Sequence, residues 1–109
     1  MKSDVKPVTT SASNAVLFTG PTRLRGYMVQ GTGTAGTCII NGLVNSTTVS
    51  SSTNTQVYIP VRVGAPQTEA LNIPEDGVVY AARNGTGIVN GVGITGNSNG
   101  LIVVLFIDK

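Results

Sequence analysis

The sequence predicts an all-β chain, a single small antiparallel β-sandwich or jelly-roll-like barrel with an extended N-terminal arm. Three observations carry that prediction. Short apolar segments recur between Gly, Asn and Ser turns at the spacing of a sandwich or barrel. No window shows an apolar stripe of helical period. Asn-Gly pairs at residues 41, 84, 90 and 99 supply the positive φ angles that tight hairpin turns require. A length of 109 residues fits one domain, and a domain of that size gains from partner subunits because its core is small.

Residues 1–14 are polar, with Pro7 and a Thr-Thr-Ser-Ala-Ser run, and have too little apolar surface to offset the entropy of ordering them alone. They are expected to form an arm, and residues 15–109 the sandwich. Strands are expected over residues 15–18, 22–30, 37–40, 55–63, 78–82, 87–95 and 101–107, with weaker signals at 5–9, 43–49 and 70–73. Over residues 55–63, Thr55, Val57, Ile59, Val61 and Val63 share one face, and Gln56, Tyr58, Pro60 and Arg62 the other. Pro60 cannot donate to a ladder, which predicts an edge strand or a bulge. Asn90-Gly91 falls inside a strand and predicts a bulge or a break there. The last segment, Leu101 to Ile107, is apolar without alternation. That pattern predicts a central strand with an oligomer contact through Leu101, Val103 and Leu105.

Gly31, Gly33 and Gly36 spell G-x-G-x-x-G after a strand, the order of glycines in a dinucleotide-binding loop. A helix must open after the third glycine, and an acidic residue must follow about 20 residues on. Here Thr37-Cys38-Ile39-Ile40 follows, and residues 50–62 hold no Asp or Glu. The same spacing at Gly91, Gly93 and Gly96 also lacks a helix signal. Residues 31–36 are read as a hairpin loop.

Catalytic chemistry has little to work with. There is no histidine to activate Cys38, the single cysteine, or any serine. Five acidic residues offer no acid and nucleophile pair for glycoside hydrolysis, and Glu75-Asp76 after Pro74 reads as a β-turn rather than a metal site. No enzyme activity, cofactor or metal is expected. The seven basic residues are scattered, against the clustering that nucleic acid requires. The N-terminus lacks the apolar segment of a signal peptide, which predicts synthesis in the cytoplasm without Sec targeting, and no apolar run approaches the ~20 residues of a membrane-spanning helix. Charged residues are only 11% of the chain. Such a surface is neutral and adhesive. Tyr58 and Arg62, outward on one strand, are the side chains expected to meet a sugar or a protein.

The segment GPTRLRGYMVQGTGTAGTCIING, the later LNIPEDGVVYAARNGTGIVNGVGITG and the final apolar strand resemble a group of small virion proteins of tailed bacteriophages, over roughly residues 18–107. In that group an Arg-Leu-Arg-Gly-Tyr-like strand leads to a Gly-Thr-rich hairpin, and an Ile-Pro-Glu-Asp-Gly-like turn precedes a strand that closes a β-sandwich. The resemblance implies a particle component. The expected function is a capsid decoration (cement) protein on the virion surface, a homo-oligomer with a trimer favoured, that binds the major capsid protein and stabilises the shell. Lys2, Asp4, Val5, Lys6 and Val8 of the arm are the expected capsid contacts, with β-augmentation by residues 5–9 as one route. The alternative it leaves open is a tail- or fibre-associated adhesin that binds host surface glycan.

Overall fold

The computed structural model describes residues 5–45, 47–50, 58–64, 67–73, 77–80 and 89–108. Its strands are β1 (Val5–Thr10), β2 (Ala15–Thr19), β3 (Thr22–Gln30), β4 (Gly36–Asn45), β5 (Thr48–Val49), β6 (Ile59–Val63), β7 (Thr68–Asn72), β8 (Val78–Tyr80), β9 (Val89–Thr95) and β10 (Ile102–Asp108). Every pairing among the described residues is antiparallel. One sheet runs β1-β10-β3-β7, with β8 continuing the lane of β7 along β3; the other runs β2-β9-β4-β5, with β6 sharing the lane of β5 along β4.

The order follows from a nested set of pairs. β1 pairs with β10, β2 with β9, β3 with β7 and β8, and β4 with β5 and β6. Alternate pairs fall in opposite sheets, and the contacts β10 to β3 and β9 to β4 join them. A long double strand wound in this way is a jelly roll. It explains why residues 31–35 do not form the expected hairpin: β3 and β4 lie in different sheets, and the glycine-rich loop is the crossing between them. Asn99 (φ 58°) and Gly100 (φ 62°) make the expected tight turn, again at a crossing, from β9 to β10.

Inward residues of the two sheets make one core. From the first sheet come Leu24, Val29, Tyr80, Val103, Leu105 and Ile107, joined by Leu101 just ahead of β10; from the second come Cys38, Ile40, Val61, Val63, Val92 and Ile94. Leu24 and Val29 are five residues apart, so a regular strand would turn them to opposite faces. A register shift solves this. Phe106 pairs with Gly26 and Ile107 with Leu24, which leaves Arg25 as the extra residue of a bulge.

Several expectations meet the structure directly. Pro60 lies opposite Ile39 on β6, which among the described strands pairs with β4 alone and so stands at an edge. β10 is central, between β1 and β3. The register of β4 against β9 passes from Gly42 opposite Val92 to Leu43 opposite Val89, so Asn90-Gly91 forms the bulge. Others change. Asn41-Gly42 does not turn; β4 runs through it, because Asn41 lies opposite Gly93 and its buried side chain donates from Nδ2 to the Ser50 carbonyl at 2.9 Å. Asn84-Gly85, residues 55–57 and the Glu75-Asp76 turn lie outside the described residues.

Burial sets an alkaline limit on this core. Cys38 is fully buried, and burial raises its thiol from the ordinary 9.0 to about 11; the Tyr80 phenol, also fully buried, is raised as well. For both groups the folded pKa exceeds the unfolded one, so their contribution is intact below the unfolded pKa and is lost as pH rises towards the folded pKa. Stability is expected to fall from about pH 9, by up to ~1.4 kcal/mol per pH unit for Cys38 alone, and more steeply above pH 10 as Tyr80 joins. Thermal melts from pH 7 to 11 measure this, and Cys38→Ala should remove the part between pH 9 and 10.

Candidate functional site

Two surfaces result from this fold. The first is the outer face of the β1-β10-β3-β7 sheet. Since Leu105 and Ile107 point inward, Ile102, Val104 and Phe106 point out. Phe106 lies between Pro7 of β1 and Gly26 of β3, and Val104 between Thr9 and Met28. Val5 and Ile102 are exposed at 41% and 37%. Val5, Phe106 and Ile73 edge a depression of about 400 Å³ that also meets Arg25 and Asn72. Arg25 stands 4.0 Å from the Asp108 carboxylate. The result is a strip of apolar side chains in a polar surround.

The second surface is a cleft on the outer side of the β2-β9-β4-β5 sheet. Its origin is a pair of glycines. Gly91 and Gly93 alternate along β9 with the core residues Val92 and Ile94 and so face the outer side, yet both are buried. A Cβ on Gly91 would stand 2.5 Å from Leu43 Cδ1, and one on Gly93 would stand 2.5 Å from Val49 Cγ2 and 2.4 Å from the Ala15 carbonyl. The end of β4 and all of β5 therefore fold back over β9 and reach β2. Leu43 and Val49 are buried in this second layer, apart from the main core. Between the flap and β2 lies a cleft of about 680 Å³, lined by Asn14, Val16, Thr47, Thr48, Val49 and Thr95 among others.

The polar groups of the cleft are held in place. Thr95 Oγ1 donates to Asn14 Oδ1 at 2.7 Å, and the Gly96 amide donates to the same oxygen at 3.2 Å. Thr47 donates to Asn45 Oδ1 from both its amide and its hydroxyl, each at 2.8 Å. Thr95 and Thr47 keep lone pairs that can accept, and the Asn14 side chain carries two N–H donors.

The sequence-derived site residues scatter over the fold. Lys2 and Asp4 lie outside the described residues. Val5 and Lys6 are exposed on β1, but Val8 is half-buried and packs on the core. The segment expected to be an arm is, from Val5 to Thr10, a strand paired along its length with β10. Leu101, Val103 and Leu105 are all fully buried in the chain's own interior. They cannot serve an oligomer contact, because the second sheet already covers that face. Arg62 is exposed on β6, and Tyr58 is half-buried just ahead of it; neither lines the cleft. Among the described residues no three His, Cys, Asp or Glu side chains come together, and no helix is long and apolar enough to cross a membrane.

No protein-family model matches the chain, and neither a curated protein nor a solved structure matches it. Fold and surfaces define the class: a small antiparallel jelly-roll sandwich with an apolar sheet face on one side and a flap-covered polar cleft on the other.

Proposed function

We propose that the chain is a structural component of a tailed-bacteriophage particle, a capsid decoration protein that binds the major capsid protein from outside and stabilises the shell. The observation that carries this reading is the apolar strip on the outer face of the β1-β10-β3-β7 sheet. It offers Val5, Pro7, Val104 and Phe106 to a partner next to the point where residues 1–4 join β1. The low charge and the resemblance to small virion proteins support the same reading. The role is mechanical: each copy adds contact area across neighbouring shell subunits. A symmetric oligomer, with a trimer favoured, would link several weak contacts and raise their effective concentration. Within β10 the apolar side chains that face outward, and so serve self-association or the shell, are Ile102, Val104 and Phe106.

The test is the copy number of this chain relative to the major capsid protein, measured by quantitative mass spectrometry on purified particles. Hundreds of copies are expected. A dozen or so would place the protein on the tail and overturn the decoration role. Deletion of residues 1–4 is the companion variant, and it should weaken attachment while leaving the melting temperature unchanged. Deletion of residues 1–13 would confound the result, because it strips β1 from β10.

A further inference from the structure

We infer that the cleft between the β5 flap and β2 binds a neutral, polyhydroxylated ligand: one face of a sugar ring, free or at the end of a glycan. The inference rests on the cleft's geometry and is independent of where in a particle the protein resides. Size comes first. At about 680 Å³ the cleft lies within the ~300–1,000 Å³ of small-molecule sites.

Chemistry narrows the class. Among the described residues, the side chains that line the cleft are Asn, Thr, Val and Ala, with no ionised group among them. A charged ligand would shed hydration there without gaining a countercharge. An apolar ligand would cover the Asn14 amide N–H groups, the Thr48 hydroxyl and the remaining acceptor lone pairs of Thr47 and Thr95 without giving them partners. A sugar hydroxyl both donates and accepts. It can donate to Thr95 Oγ1, whose own proton is committed to Asn14, and a neighbouring hydroxyl can accept from the Asn14 amide. Val16 and Val49 supply apolar surface for the C–H face of the ring.

Preorganisation supports the inference. Asn14 is fixed by Thr95 and Gly96, Thr47 by Asn45, and Val49 by its seat on Gly93. These polar groups are oriented before a ligand arrives, which lowers the ordering cost of binding. Nothing linear in the sequence marks the site. Its parts come from residues 14–16, 47–49 and 95, and they meet only because the flap crosses β9.

The test is an NMR titration of the full ¹⁵N-labelled chain with D-glucose, D-galactose, N-acetylglucosamine, maltose and lactose, with glycerol and glucuronate as controls. At least one neutral sugar should give saturable shifts confined to residues 14–16, 47–49 and 93–96, while glycerol gives none and glucuronate binds no better than glucose. Thr95→Val and Thr48→Val should each weaken that binding about tenfold, the loss of one to two hydrogen bonds. Thr48 is exposed, so Thr48→Val keeps the test valid if Thr95→Val disturbs the fold. A receptor for free sugar binds monosaccharide and disaccharide alike, and a glycan binder prefers the disaccharide. Absence of saturable shifts with all five sugars, or shifts that survive both substitutions, would overturn the inference.

Discussion

Replacement of Leu105 by alanine is expected to lower the unfolding free energy by about 3–4 kcal/mol, within the ~2–5 kcal/mol range of buried leucine truncations. The melting temperature should fall by roughly 15 °C, at ~4–8 °C per kcal/mol for a domain near this size. Leu105 is 0% exposed, sits opposite Tyr27 on β3 and Val8 on β1, and belongs to the core formed by both sheets. The lost methyl groups leave a cavity that the two sheets cannot close, because strands on both sides fix β10 in register. The oligomeric state, followed by sedimentation, should not respond to Leu105→Ala. Phe106→Ala gives the contrast. That side chain is half-buried on the outer face, so its loss should cost far less stability and should weaken whichever contact uses that face. A Leu105→Ala chain with native stability and altered self-association would show that the inward assignment of β10 is wrong.

The second large effect is expected at Asn97. The residue is only 5% exposed, and its side chain binds three backbone groups. Nδ2 donates to the Ala12 carbonyl at 3.0 Å and to the Leu101 carbonyl at 2.9 Å, and Oδ1 accepts from the Leu101 amide at 3.1 Å. The Asn97 amide in turn donates to the Ser13 carbonyl. One residue therefore ties the β9–β10 crossing to the β1–β2 crossing. Ser98 and Asn99 extend the knot to the β3–β4 crossing, through Thr37 and Ala35. Asn97→Ala takes a partner from the buried Leu101 amide and carbonyl, at about 1–3 kcal/mol each before relaxation and water entry, and from the carbonyl of the exposed Ala12, which water can reach. A net loss of about 3 kcal/mol in chemical denaturation is expected. Asn97→Asp should be at least as damaging: a carboxylate still accepts from the Leu101 amide but faces two carbonyl oxygens with no proton to give. Recovery of stability in Asn97→Asp would refute this account.

Neither residue stood out in the sequence as it does in the fold. Leu101, Val103 and Leu105 were legible as strand residues, and β10 as central, but an apolar run without alternation does not say which face belongs to the chain itself. The half-exposed Ile102, Val104 and Phe106 share the composition of the buried face. Asn97 was one asparagine among many, and only its buried position shows that it replaces a missing backbone partner at three places. The Asn-Gly pairs illustrate the same limit. Asn99-Gly100 turns the chain, Asn90-Gly91 makes a bulge, and Asn41-Gly42 stays extended because Gly93 and the Ser50 carbonyl take up what Asn41 offers.

Local chemistry determined what depends on neighbours in sequence: the all-β class, the approximate strands, the restriction of Pro60 to an edge or a bulge, the interruption at Asn90-Gly91 as a bulge or a break, and the failure of the glycine patterns to open helices. These features follow from φ preferences, missing donors and the two-residue period of a strand. Tertiary structure decided everything that depends on distant segments meeting. It recruited residues 5–10 into the sheet as the partner of β10, and it turned Leu101, Val103 and Leu105 inward. It also assembled the cleft, where Gly91 and Gly93 make room for a flap that brings Thr48 and Val49 to Asn14 and Thr95. The physical reason is that burial is set by what covers a face, and in a jelly roll the covering strand comes from the far end of the chain.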